Sequence, residues 1–73
     1  MKKKRLLIYF SSKDAMNLTL NFLIIKKIID KNYISNDKNS NYHIIIDSVL
    51  SEKELFKTLK NKIGSKNFII RKK

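Results

Sequence analysis

The sequence contains no cysteine and a single histidine, His43, among its 73 residues. Without cysteine the chain can form neither disulfides nor thiolate zinc sites, and one histidine is too few for an ordinary metal site. A domain this small buries a modest fraction of its surface and usually needs such a cross-link or a second subunit. Apolar packing, within one chain or between two, must therefore hold the fold together, and we expect no metal or cofactor.

Length and composition indicate one globular domain that covers residues 1–73. Apolar residues make up 42% of the chain, which is enough for a core and argues against disorder. The basic start at residues 2–5 and the apolar run at 6–10 resemble the beginning of a signal peptide, but the run is too short. No stretch approaches the roughly 20 apolar residues of a membrane span. These features predict a cytoplasmic protein.

Four short segments have the composition of strands. Residues 5–10 (RLLIYF) and 42–47 (YHIIID) are runs of branched, aromatic and other apolar residues, which is typical of buried strands. Residues 67–71 (NFIIR) have the same character, and residues 33–35 form a weaker candidate beside a polar turn region. We therefore predict three clear strands and one marginal one.

Two segments carry the signals of helix starts. Ser11 and Asp14 fit a capped first turn, and we expect the helix that follows to continue to about residue 31. Ser51 and Glu54 have the spacing of a capping box, in which each side chain accepts a hydrogen bond from the other residue's backbone. Gly64 stands where this second helix should end, because glycine tolerates the backbone conformation that terminates helices.

The predicted order of elements is βαββαβ. Right-handed crossovers fold this order into a ferredoxin-like α+β sandwich, with a four-stranded antiparallel sheet and both helices on one face. The first and third strands would then be central. If residues 33–35 are not a strand, the alternative is a three-stranded βαβαβ sheet.

The first helix carries two apolar stripes, which is more than one sheet can cover. One stripe contains Ala15, Leu18, Phe22, Ile25 and Ile29. The other lies on roughly the opposite side, where exposure to water would be costly unless something covers it. We therefore predict a homodimer whose interface is this second stripe, with packing against the other helix as the alternative. The predicted interface residues are Met16, Leu20, Leu23 and Ile24.

Strand alternation indicates which side chains lie on the open face of the sheet, the face without helices. The more polar set contains Tyr9, His43, Asp47, Asn67 and Arg71. The rings of Tyr9 and His43, with arginines nearby, could stack a nucleic-acid base and hold its phosphate. The alternative is that these are ordinary half-exposed strand residues.

The balance of charge points to a polyanionic partner. Seventeen lysines and arginines against six acids give a net charge of +11, and such a field attracts nucleic acid. The alternative is incidental charge from a lysine-rich, AT-rich composition. The cations that we predict to contact nucleic acid cluster at two neighbouring strand ends and on the second helix: Lys2, Lys3, Lys4, Arg5, Lys53, Lys57, Lys60, Arg71, Lys72 and Lys73.

Catalytic motifs are missing from the sequence. Asp47 would share a strand face with His43 and could orient it, but no nucleophile is tied to this pair by a motif. The chain has no glycine-rich phosphate loop, no paired carboxylate motif and no dinucleotide fingerprint. We therefore predict no catalytic residues.

The order of elements, and residues 42–71 most closely (YHIIIDSVLSEKELFKTLKNKIGSKNFIIR), resemble the small ferredoxin-like nucleases. These include the spacer-acquisition subunit of CRISPR systems and the GhoS-type antitoxin ribonucleases. The resemblance implies a homodimer. Active members carry an aspartate at the end of the first strand, whereas here residues 9–12 (YFSS) contain no acid. The RNA-recognition module shares the element order, but its glycine-and-aromatic signature is absent from residues 41–47.

Three functions are compatible with these patterns. The first is a small, basic, non-catalytic protein that binds RNA or DNA as a homodimer. The second is a phage-type, anti-CRISPR-like inhibitor that binds a host nuclease or ribonucleoprotein. The third, implied by the resemblance, is a metal-dependent endoribonuclease.

Overall fold

The computed structural model describes residues 3–30 and 32–72. Its elements, in chain order, are β1 (Lys4–Phe10), α1 (Lys13–Ile25), β2 (Ile34–Asn36), β3 (Tyr42–Ser48), α2 (Glu52–Ile63) and β4 (Phe68–Lys72), with short 3₁₀ turns at Lys38–Ser40 and Ser65–Asn67. The four strands form one antiparallel sheet in the order β2-β3-β1-β4. The predicted ferredoxin-like βαββαβ fold is confirmed, including the weak second strand and the central position of the first and third strands.

The core lies between the sheet and the two helices. The two central strands contribute fully buried side chains that alternate with residues of the open face. These are Leu6 and Ile8 of β1, and Ile44 and Ile46 of β3. Leu23 of α1 and Leu55 and Leu59 of α2 pack into the same cluster. Apolar packing between these two layers therefore provides the cohesion that disulfides or a metal would supply in other small domains.

The start of α2 is built as predicted. The Ser51 hydroxyl accepts a hydrogen bond from the Glu54 backbone N–H at 3.2 Å, and the Glu54 carboxylate accepts one from the Ser51 backbone N–H at 3.1 Å. Hydrogen bonding to Ser51 lowers the pKa of the Glu54 carboxyl group below its ordinary value, the Ser51 backbone N–H being the larger cause and the Ser51 side chain the next. Gly64 follows the last turn with a φ of 86°, so the predicted end of the helix is also confirmed.

The start of α1 differs by one residue from the prediction. Ser12, and not Ser11, caps the helix, and its hydroxyl accepts a hydrogen bond from the backbone N–H of Ala15 at 3.1 Å. Ser11 is held by the sheet, because its backbone N–H donates to the carbonyl of Asn67 at 3.0 Å. That bond extends the pairing between β1 and β4, so the helix begins one residue later.

The end of α1 comes well before residue 31. Lys27 adopts a left-handed backbone conformation, with φ 58°, and donates its N–H to the carbonyl of Ile24. Ile28 donates its N–H to the carbonyl of Leu23 at 2.9 Å, so the two bonds form a Schellman motif. The chain then turns back and buries Ile28 and Ile29 in the core. Glycine usually occupies the Lys27 position, which is why the sequence did not indicate this end.

The predicted dimer interface is wrong, because α1 is rotated relative to the prediction. Met16, Leu20 and Leu23 are buried in the core of a single chain, and Ile24 packs against that core. The outer face instead carries Leu18, which is 49% exposed, and Ile25, which is 74% exposed. Thr19 accounts for the wrong choice of face. It is fully buried at the centre of the inner face, where a polar residue interrupts the apolar stripe that hydropathy identifies. The homodimer itself stays a prediction.

No helix in the part of the chain that the structure describes is long and apolar enough to cross a membrane.

Candidate nucleic-acid interface

Three elements distant in sequence meet at one end of the sandwich and form a cleft of about 570 Å³. The start of β1 contributes Lys4 and Arg5, the start of α2 contributes Lys53, and the end of β4 contributes Lys72. We call this the basic cleft. Leu6, Ser51 and Glu52 complete its lining. Four of the cations that the sequence predicted to contact nucleic acid thus lie in one concave surface.

The antiparallel sheet explains how the strand ends meet. Lys72 lies opposite Leu6 in the register between β4 and β1, so the end of one strand adjoins the start of the other. Lys4 and Lys72 alternate with open-face residues and therefore point to the helix side of the sheet, beyond the edge of the core. The first turn of α2 sits at the same end and brings Lys53 to them.

Most cations of the basic cleft are not engaged by carboxylates. Within residues 3–30 and 32–72, Lys4, Lys53 and Lys72 form no ion pair. Glu52 lines the cleft, and the Glu54 carboxylate, which is held in the capping box, also interacts electrostatically with Lys4. The box also occupies two backbone donors at the start of α2, the N–H groups of Ser51 and Glu54. Lysine ammonium groups supply the formal positive charge of the cleft.

Arg5 has a different environment, because it lies opposite Asp47 on the open face. Its Nε and Nη2 donate to the two carboxylate oxygens of Asp47, at 3.0 and 3.3 Å. The hydrogen bond from Arg5 is the main reason that the pKa of Asp47 lies below its ordinary value. Lys3 is also paired, with Asp30 at 2.6 Å.

The other predicted cations lie outside the cleft. Lys57 and Lys60 are exposed on α2, about one and two turns after Lys53, on the same side of the helix. Arg71 lies on the open face, opposite Leu7. Lys2 and Lys73 fall outside the described residues.

The structure brings Tyr9 and His43 together on the open face, as the sequence predicted. They are cross-strand neighbours, and their ring centroids lie 5.6 Å apart with the planes inclined by 55°. Nδ1 of His43 is buried and has no hydrogen-bond partner among the described residues. Along β1, Tyr9 lies about 13 Å from Arg5, because a strand rises about 3.3 Å per residue.

Two features of the open face were not predicted. Its centre is apolar, since Ile34, Ile45 and Leu7 lie side by side across β2, β3 and β1. Asn67 lies in the 3₁₀ turn before β4 and not on this face, and its side chain contacts Ser11 and the carbonyl of Ile63. The alternation within residues 5–10 and 42–47 could have indicated the apolar centre, because it leaves Leu7 and Ile45 on the open side.

The carboxylates of the described residues are dispersed. In residues 3–30 and 32–72, no three side chains of histidine, cysteine, aspartate or glutamate come together as a metal site would require. Asp14, the acid nearest the end of β1, is exposed in the first turn of α1.

No protein-family model matches the chain, and neither the curated proteins nor the solved structures include a significant match to it.

Proposed function

We propose that this protein binds nucleic acid without catalysis and holds the phosphate backbone in the basic cleft. The observation that carries the proposal is the convergence of Lys4, Lys53 and Lys72, from three separate elements, in one cleft without ion-pair partners among the described residues. Lysines at such a site neutralise phosphates and release condensed counterions, which is the main source of non-specific affinity for nucleic acid.

The distribution of acids supports a localised site over incidental surface charge. Three of the six acids, Asp30, Asp37 and Asp47, are engaged with Lys3, Lys13 and Arg5, at 2.6 to 3.3 Å. None of those pairs involves a lysine of the basic cleft. The three lysines of the cleft outnumber Glu52, which lines it, and Glu54, which interacts with Lys4, so the cleft keeps a net positive charge.

The open face extends the proposed contact surface. Tyr9 and His43 present two rings on the same side of the sheet as Arg5 and Arg71. Aromatic rings on such a sheet can stack the unpaired bases of a single strand, whereas a duplex keeps its bases stacked on one another. Lys57 and Lys60 would extend the phosphate contacts along α2.

The decisive experiment compares two triple variants with equal net charge. Lys4, Lys53 and Lys72 are replaced by Gln in the first, and Lys38, Lys62 and Lys66 in the second, so each falls from +11 to +8. The second set is exposed and lies away from the basic cleft. Affinity for a labelled single-stranded oligonucleotide is measured by fluorescence anisotropy over a series of salt concentrations.

We expect the cleft variant alone to lose most of its affinity. Its plot of log K against log salt concentration should be less steep by about 2, because each phosphate contact to a single strand contributes about 0.7 to the slope. Equal losses in both variants would show that binding follows net charge and not the cleft. Absence of binding by the wild-type protein at low salt would refute the proposed function.

The inhibitor and endoribonuclease hypotheses stay predictions, and no feature of the described residues favours either of them over nucleic-acid binding.

A further inference from the structure

A second, smaller cleft lies on the open face of the sheet, at the same end of the molecule as the basic cleft. Its volume is about 280 Å³, and residues of β1, β3 and the segment leading into β2 line it: Arg5, Asn32, Tyr33, Ile34, Ile45, Ile46 and Asp47. Arg5 lines both clefts. The two clefts therefore lie at the same end of the sheet, on its two opposite faces, with Arg5 as the one residue in both linings. We call the smaller one the open-face cleft.

One wall of the open-face cleft is apolar and partly exposed to water. Ile34 and Ile45 are cross-strand neighbours, and Ile34 is 61% exposed although it lies within a strand. Tyr33, the residue before β2, is 36% exposed and adds an aromatic ring to the same cleft. Covering such surface with the face of a planar ring is favourable, because it removes apolar area from water.

The lining also includes the ion pair between Arg5 and Asp47, which has unused hydrogen-bonding capacity. A guanidinium group has five N–H donors, of which Asp47 receives two. A carboxylate has about four acceptor positions, of which Arg5 fills two. Donors and acceptors therefore lie side by side at the rim. The hydrogen-bonding edge of a nucleobase has the complementary arrangement, with N–H groups next to carbonyl or ring-nitrogen acceptors.

We propose that the open-face cleft binds one nucleobase of a single strand whose phosphates lie in the basic cleft. This inference rests on the proposed function. The base lies against Tyr33, Ile34 and Ile45, and its polar edge bonds to Arg5 and Asp47. Because both clefts lie at the end of the sheet where β1 begins, a strand that passes around this end can place a base in one cleft and neighbouring phosphates in the other. Pockets for drug-sized ligands measure about 300–1,000 Å³, so this smaller cleft suits one heterocycle.

The test compares two oligonucleotides with the same number of phosphates, one an oligothymidylate and the other an abasic strand of equal length. About ten nucleotides is suitable, since single-strand binders cover ~4–16 nucleotides. Binding is measured by anisotropy for the wild type and for Tyr33→Ala and Asp47→Asn. Asp37→Asn is the matched control, because it also removes one acid and breaks one exposed ion pair, at a site outside the cleft. Tyr9→Ala tests whether the base stacks on the Tyr9 and His43 rings instead.

The wild type and Asp37→Asn should prefer the base-bearing strand by about five-fold or more, the lower end of what stacking one base contributes. Tyr33→Ala and Asp47→Asn should lose most of that preference and keep their affinity for the abasic strand. Equal affinity of the wild type for both strands would overturn the base site and leave the phosphate site intact. A preference lost only in Tyr9→Ala would also overturn it. If neither strand binds, the proposed function fails as well.

Discussion

Lys27 ends α1 in a backbone conformation that ordinary residues avoid. Its φ of 58° is left-handed, where a Cβ atom approaches the following carbonyl and costs roughly 1–2 kcal/mol. The Schellman hydrogen bonds and the burial of Ile28 offset this cost. A lysine therefore occupies the position at which glycine is the common choice.

Replacing Lys27 with Gly should stabilise the protein. Glycine removes the left-handed strain, and we expect the free energy of unfolding to rise by about 0.5–1 kcal/mol, less than the full strain because the unfolded chain gains freedom. Urea unfolding followed by circular dichroism measures this change. Lys26→Gly is the control, because Lys26 has a right-handed conformation and the same charge, and it should lower stability. Equal destabilisation by both variants would contradict the left-handed conformation assigned to Lys27.

At the scale of elements, α1 shows how a buried polar residue can reverse the face that a helix presents. Thr19 is fully buried between Met16 and Leu23, and its hydroxyl has no hydrogen-bond partner among the described residues. Leu18 and Ile25 lie on the opposite face. Phe22, at the flank, is covered by Lys62 of α2, whose Nζ lies 5.2 Å from the ring centroid. Contacts from other elements therefore decide the orientation of α1.

The same deletion on the two faces of α1 should have very different costs. Leu23→Ala leaves a cavity in the core and should lower the free energy of unfolding by about 3 kcal/mol. Leu18→Ala removes a half-exposed side chain, and we expect a loss below about 1 kcal/mol. The midpoints of urea unfolding compare the two variants directly. A large loss in Leu18→Ala that grows with protein concentration would instead show that a second copy covers this face.

At the scale of the whole molecule, the chain has a net charge of +11, and its described residues form a body that measures 35 × 23 × 22 Å. Like charges repel one another across these dimensions when the salt concentration is low, because the Debye length is about 10 Å at 0.1 M and 30 Å at 0.01 M. The three ion pairs found among the described residues are exposed, and each contributes at most about 1 kcal/mol. Repulsion should therefore outweigh these pairs in the net effect of salt on stability.

Raising the NaCl concentration from about 0.01 to 0.1 M should increase the thermal midpoint by several degrees, since about 1 kcal/mol shifts the midpoint of a domain this size by 4–8 °C. Differential scanning calorimetry measures the change. The two lysine-to-glutamine triple variants should show a smaller increase, because repulsion is lower at +8. A midpoint that falls with added salt would mean that the ion pairs dominate.

The features that the sequence determined are those in which the interacting residues are close along the chain. Residues a few positions apart are enough to predict the capping box between Ser51 and Glu54 and the end of α2 at Gly64. The same is true of the alternation within β1 and β3. With the six elements established in this way, few topologies remain, and the ferredoxin-like arrangement follows from general rules of chain connection. Part of the candidate site was predictable from that arrangement, because it places the start of β1, with Lys4 and Arg5, beside the end of β4, with Lys72.

Only the tertiary structure decided which side of each element meets its neighbours. Contacts between residues far apart in sequence determine the inner face of α1 and its early end at Lys27. They also determine the pairing of Arg5 with Asp47 and the meeting of Lys53 with Lys4. Local periodicity showed two apolar stripes on α1 but could not choose between them, since the choice depends on packing against β1, β3 and α2. The positions of both clefts follow from that packing, because each is lined by side chains from separate elements.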